Sequence, residues 1–291
     1  TATTEIYTLS LHDALPIWIV GLCRSLEAKL PAGERLAGVG FGIPGIVDDV
    51  AGIALYNPNI PGFHQMPLRE RLLGLYRGDL VYHMANDADV AAVAEAAAGA
   101  AKGTRFSVSV TLGTGVGGGV VIDGRLYTGC NAAGIEIGHM CISRGGEPCN
   151  CGRKGCFESY ASATALIRQT QRAVAAHPAS ALAASVAGDA ARIDGRTAFA
   201  AARQGCPVAA AVVADYIDGI AEGLCNIILC YQPEVICVGG GVCNEGAALM
   251  EPLQRRVQEK IYAPNLQKTR VVRAQLGNDA GIIGAAMLCR P

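Results

Sequence analysis

Apolar and polar positions fall in blocks along this chain, and the period of the blocks changes from helical to strand-like and back. Residues 18–30 read as a helix, and Leu36–Phe41 is a short apolar run ending at Gly42-Ile43-Pro44-Gly45, the pattern of a buried strand stopped by turn residues. Pro67 to Tyr76 predicts a helix with proline in its first turn, Leu80–Met84 a strand, and Asp87 to Ala101 a helix of small residues. Ser107–Leu112 and Gly118–Ile122 read as strands, and Asp123-Gly124 beyond them is a hairpin turn signal. Helices come next near 159–176 and 207–231. Glu234–Val238 is a β-rich run closing on Gly239-Gly240-Gly241, with another helix beyond it, Arg270–Ala274 as the last strand and Ala280–Leu288 as the last helix. Strands alternating with helices indicate an α/β fold. There is no internal repeat. The alanine-rich stretch Ala179–Ala191 reads as helical padding, alanine being the best helix former.

Thr1–Ile17 does not join this pattern, having neither helical periodicity nor clean alternation that leads into the helix at Trp18. Its SLHDALPI stretch resembles a translated sequencing adapter, so these residues are expected to be non-native, and either to be poorly ordered or to pair as an improvised strand. A genuine extension is the alternative.

Composition narrows the class. Hydrophobic residues make up 51% and charged residues 17% of 291, enough for a large buried core and too apolar for a disordered chain. The net charge of −1 gives no electrostatic case for nucleic acid or anionic membrane. No apolar run approaches the ~20 residues of a membrane span, and the first residues show no secretory pattern, so the expected compartment is the cytoplasm. Twelve cysteines are many for such a chain, but their uneven spread does not suggest a disulfide framework. Most, such as Cys225, Cys230 and Cys237, sit inside apolar runs and read as buried inert thiols.

Cys149, Cys151 and Cys156 are different, falling within eight residues and following His139. Three thiolates and one imidazole make a closed tetrahedral zinc site of the structural kind, and Gly152 and Gly155 let the backbone fold tightly around an ion. Four unrelated loop residues are the alternative. Asn86-Asp87-Ala88-Asp89 stands where a strand gives way to a helix. Asp87 there is either part of a cap or a base that accepts a hydroxyl proton. Thr111-Leu112-Gly113-Thr114-Gly115-Val116-Gly117-Gly118-Gly119 joins two strands; it is either a tight hairpin or a loop whose amides approach phosphate. It is not a Walker loop, because no Gly-Lys-Ser/Thr follows.

Glu136-Ile137-Gly138-His139, followed by Cys-x-Cys-Gly-x-x-Gly-Cys-x-Glu ending at Glu158, closely resembles the ROK kinases and repressors, from about Trp18 to the C-terminus. The resemblance implies a two-domain actin-like ATPase fold of the sugar kinase and Hsp70 kind with a zinc-binding loop. It implies a small α/β domain over 1–105, completed by a C-terminal helix at 280–291, and a large α/β domain over 106–279 with its zinc loop at 139–158. The implied activity is ATP-dependent phosphorylation of a hexose at its 6-hydroxyl, with glucose first, Mg2+ accompanying ATP, and homodimers in the cytoplasm. Asp87 would be the catalytic base; Asn59, Asn86, Asp87, Glu136, His139 and Glu158 would bind sugar. Gly113, Thr114, Gly115, Gly117, Gly239, Gly240 and Gly241 would bind ATP, and His139, Cys149, Cys151 and Cys156 would hold zinc. Two departures stand out. The family usually has Asn where Asp89 stands, and Phe63 replaces a Trp, which a pocket wall should tolerate. The alternatives are a sugar-sensing regulator domain and an impaired fragment that binds sugar and zinc. The Asp-x-Gly-Gly-Thr hairpin that opens such kinases is absent from the sequence, so the small domain is expected to lack its first hairpin and transfer is expected to be weak.

Overall fold

The computed structural model describes residues 11–57 and 63–290. Helix α1 (Leu11–Glu27) opens them, followed by β1 (Gly38–Ile43), β2 (Ile46–Asp48) and β3 (Ile53–Tyr56). Next come α2 (Leu68–Leu75), β4 (Val81–Asn86), α3 (Asp87–Ala98), β5 (Phe106–Leu112), β6 (Val116–Ile122) and β7 (Arg125–Tyr127). The second half runs through α4 (Glu158–Ala161), α5 (Ala163–Ala176), α6 (Ala181–Ser185), α7 (Thr197–Arg203), α8 (Pro207–Tyr231), β8 (Val235–Gly239), α9 (Ala247–Lys260), β9 (Arg270–Arg273) and α10 (Ala280–Leu288).

One five-stranded sheet, two two-stranded sheets (β1 with β4, and β2 with β3) and two main hydrophobic cores result. The larger sheet has the order β7-β6-β5-β8-β9, with β5, β8 and β9 parallel and β6 and β7 added as antiparallel hairpins. Its core gathers Val108, Val110 and Leu112 of β5, Ile236 and Val238 of β8, and the inner face of α8 from Val212 to Ile228. β8 is buried throughout and reads as a continuous apolar run, as parallel strands do, whereas β5 is largely buried yet alternates Ser107, Ser109 and Thr111 with apolar residues. In the smaller lobe β1 and β4 pair in parallel, Gly38 against Val81 through Ile43 against Asn86. Ile19, Val20 and Cys23 of α1 pack there against Leu68 and Leu72 of α2 and Tyr82 and Met84 of β4. α3 and α10 cross between the sheets at close range. A Cβ on Gly284 would overlap the Val90 carbonyl, and one on Gly40 the Ala285 carbonyl, so glycine sets how near these backbones come.

Several expectations change. α1 begins at Leu11, continues through Pro16 and ends at Glu27, so residues 11–17 are helical rather than strand-like or disordered. A proline forfeits one backbone donor inside a helix, and here the buried Ile19, Val20 and Cys23 face holds the helix nonetheless. Residues 1–10 lie outside the described residues. The helix foreseen over 159–176 is two helices, broken at Ser162, whose hydroxyl caps α5 by accepting from Ala165 N–H at 3.0 Å. Phe63 is a fully buried member of the small core rather than a pocket wall. Among the described residues no helix is long and apolar enough to cross a membrane.

Candidate functional site

The carboxyl ends of β1 and β4 face the start of β6. β1 ends at Ile43 and turns at Gly45, whose φ of 96° and whose closeness to the Tyr56 carbonyl leave no room for a Cβ. β4 ends at Asn86, the cap of α3. The Asn86 side chain accepts from Ala88 N–H at 2.8 Å and donates through Nδ2 to the Gly45 carbonyl at 2.8 Å. Asn86 thus fixes the start of α3 and ties it to the β1 turn. Asp87 is the first helical residue, exposed, with Oδ1 3.0 Å from Ala88 N. The cap position is filled by its neighbour, so Asp87 does not have to be the cap.

A cavity opens between these strand ends, lined by Gly45, Asn86, Asp87, Asp89, Gly117 and Glu136 among others. Asp87 and Asp89 come from the first turn of α3, Gly117 from β6, and Glu136 from the loop after β7. That loop is held in an unusual course: Ala132 and Ile135, neither of them glycine, have φ of 61° and 63°. A β-branched residue there is strained, and the cavity-lining loop stores that strain. Burial raises the Glu136 pKa; His139 opposes this, while Glu158 and Asp87 add to it. Asp89 is pushed to about 7 by burial, then by Glu136 and Asp87.

The zinc-type cluster sits beside this cavity. The candidate ligand atoms of His139, Cys149, Cys151 and Cys156 all lie within 4.8 Å of one another. Cys149 Sγ is 3.6 Å from His139 Nδ1, and the sulfurs of Cys151 and Cys156 are 3.7 Å apart. Ligands about 2.3 Å from a central ion are about 3.8 Å apart in a tetrahedron, so the donor set and spacing fit zinc. Burial pushes the Cys156 thiol up to about 12, whereas backbone hydrogen bonding beside Arg153 lowers Cys151. The loop is shaped by backbone: Cys149 N–H donates to the Arg153 carbonyl at 2.9 Å, and Gly155, at φ 79°, passes too near the Ser143 carbonyl for any side chain.

His139 and Glu158 belong to the cysteine cluster and its loop rather than to the cavity lining, yet both are tied to the cavity's walls. His139 N–H donates to the Glu136 carbonyl at 3.0 Å. Glu158 Oε2 accepts from Val116 N–H at 3.0 Å, and its Oε1 lies 3.8 Å from Cys149 Sγ. This carboxylate therefore couples the cysteine loop to the glycine turn. That turn is Gly113–Gly115, since Thr111 and Leu112 belong to β5 and Val116 onward to β6. It is stapled to α5 by Ala163 N–H on the Gly113 carbonyl and the Thr164 hydroxyl on the Thr114 carbonyl, both 2.8 Å.

A second cavity is lined by Gly239, Gly240, Thr111, Asn244, Arg273 and Gly277 among others. Register brings Gly239 opposite Thr111, so this space opens at the same sheet end as the glycine turn. Gly117 belongs to the first cavity and Gly239 and Gly240 to the second. Gly113, Thr114, Gly115 and Gly241 line neither, and Asn59 lies outside the described residues. Asp89 and the left-handed Ala132 and Ile135 were not foreseen; Asp89 is a helix residue adjoining the motif, whereas nothing in the sequence marks the other two.

The ROK family pattern matches residues 11–291. A glucokinase of Thermotoga maritima is 37% identical over 258 residues, covering 89% of this chain and 80% of that protein. The crystal structure of a ROK family glucokinase from Streptomyces griseus, in complex with glucose and AMPPNP, superposes with a TM-score of 0.77 at 33% identity, covering 94% of this chain and 87% of that one. A xylose repressor of Caldicellulosiruptor bescii is 24% identical, covering 90% of this chain and 64% of that protein. The architecture is thus the actin-like ATPase fold of ROK sugar kinases.

Proposed function

The chain belongs to the ROK family, and on that footing we propose that it transfers the γ-phosphoryl group of ATP to the 6-hydroxyl of a hexose, glucose first. The observation that carries the reading is Asp87. It stands exposed at the mouth of a cavity beside Asn86 and Glu136, freed from capping by its neighbour. The hexose hydroxyl oxygen attacks the γ-phosphorus and its proton passes to the Asp87 carboxylate. The bond from the γ-phosphorus to the bridging oxygen breaks, and ADP leaves with that electron pair. Carboxylates accept from vicinal hydroxyls, so Glu136 and Glu158 suit a polyol, and Asn86 offers an amide. His139, held through Nδ1 in the zinc cluster, keeps its other ring nitrogen for a sugar oxygen. We assign Gly117 and the Gly113–Gly115 turn to the phosphates, Gly239–Gly241 to the nucleoside side, and Asn59 to a further hydroxyl contact.

Zinc, held by His139, Cys149, Cys151 and Cys156, would be structural, since four protein ligands leave no open position. Mg2+ bound with ATP supplies neutralisation of the phosphate charge. The cysteines are all unpaired among the described residues, which suits the reducing cytoplasm. A homodimer accords with exposed apolar side chains such as Tyr127 and Leu229.

Asp87→Asn tests the reading, because the amide keeps size and hydrogen bonding without basicity. Turnover should fall by about 10²-fold or more while glucose affinity holds. Equal turnover would remove Asp87 from the mechanism. Glucose binding without glucose-dependent ADP release in the parent chain would favour a sugar-sensing domain or an impaired fragment.

A further inference from the structure

The hexose cavity has an unusual charge inventory. Three carboxyl groups line it, Asp87 and Asp89 from the first turn of α3 and Glu136 from the loop facing them, and among the described residues no lysine, arginine or histidine lines it. Glu158 adds a fourth negative group that Glu136 senses, and only His139, behind Glu136, opposes them. Three like charges around one partly enclosed space cannot all ionise cheaply, and such a group of acids binds a shared proton. Asp87 is exposed to solvent. Asp89 is more enclosed, lies against the β6 backbone at Gly119, and has Glu136 and Asp87 as its charged neighbours.

We propose that Asp89 is the proton-holding residue of this pocket, so that binding of a neutral hexose is coupled to proton uptake at Asp89. The inference rests on the hexose reading above. A sugar displaces water from the cavity and deepens the penalty on its charges, so the site that most readily takes a proton does so. The protonated carboxyl becomes a donor to a sugar hydroxyl, and Asp87 keeps the place of the base. The same group has a plain structural use, since its carboxylate accepts from the Asn86 backbone N–H and closes a capping box. The burial and like-charge push on Asp89, to about 7, puts this exchange within the working pH range. Asp89→Asn keeps the amide oxygen as a cap acceptor and removes the proton, so it separates the two roles.

Two measurements decide it. Carbon-13 NMR of the side-chain carboxyls in the sugar-free protein, with Asp89→Asn to assign the signal, should show Asp89 titrating near neutrality. Titration below about pH 5, the ordinary carboxylate range, overturns the proposal. Calorimetry of glucose binding at pH 7.5, in two buffers of different ionisation enthalpy, should then show net proton uptake by the parent chain and none by Asp89→Asn. Glucose affinity of the parent should fall by up to about tenfold per pH unit above the midpoint and stay flat in the variant. Equal proton uptake in both chains, or none in either, overturns the coupling. Absence of any glucose binding, with Asp89 still titrating near neutrality, would sink the hexose reading and leave the proton-holding role standing.

Discussion

Glu95 offers the sharpest test of how α3 is held. It is 2% exposed, two turns along the helix from Asp87. Its Oε2 accepts from Ala100 N–H at 2.7 Å, and its Oε1 accepts from Gln275 and Leu276 N–H at 2.9 and 2.8 Å. One carboxylate thereby ties the end of α3 to the segment leading into α10. In Glu95→Ala three backbone donors lose a charged acceptor. Gln275 is exposed and can turn to water for about 1 kcal/mol; Ala100 and Leu276 are half-buried and should cost about 1–2 kcal/mol each. The total, about 3–5 kcal/mol, is a large share of the ~5–15 kcal/mol that a folded domain has in hand. Glu95→Gln retains the two bonds at Oε1 but turns an amide N–H2 toward Ala100 N–H, and should lose about 1–2 kcal/mol. Urea denaturation of the three chains, followed by circular dichroism, measures the order. A Glu95→Ala loss under about 1 kcal/mol, or equal losses for Ala and Gln, would refute the clasp.

Three further outcomes rest on the same geometry. Gly223→Ala should gain helix propensity yet lose about 1–2 kcal/mol net, because the new methyl lands on the Phe157 ring beside the zinc loop; a more stable variant would show that the contact relaxes freely. Elemental analysis should find about one zinc per chain, and either Cys151→Ala or a strong chelator should lower the thermal midpoint; zinc-free protein with an unchanged midpoint would contradict the assigned ligands. Asp89 has its pKa raised on folding, so the unfolded chain ionises first and stability drains away as pH rises from about 4 to about 7. Asp89→Asn should therefore be the more stable chain at pH 8, with the difference vanishing below about pH 4; a pH-independent difference would contradict the burial of this acid.

Long elements with strong terminal signals were legible in the sequence. α8 runs over 207–231, as its pattern implied, because Pro207 sits at its first turn and Gln232 takes the left-handed stop. The cysteine loop was equally readable, since thiolates at that spacing have few other uses. The β2–β3 hairpin escaped, its strands being three and four residues long, too short for alternation to register. Ser162 did carry a capping signal, but the apolar pattern on either side masked it. The cavity wall at Ala132 and Ile135 was hidden for a different reason: tertiary packing forces a left-handed backbone on residues that do not favour it. Asp89 was visible beside the motif but looked like a bystander, because residues two apart on a helix do not normally share a face. The cavity wraps around the helix start, where both can line it.

Phosphoryl transfer to a hexose leaves a product that can be weighed directly. Glucose, Mg2+ and ATP labelled at the γ-phosphate are incubated with the purified chain, and products are resolved by mass spectrometry and phosphorus NMR. Label should appear in glucose 6-phosphate with one ADP per product, and both should be lost in Asp87→Asn. ADP formed at the same rate without glucose, or no labelled sugar from a chain that demonstrably binds glucose, would contradict it.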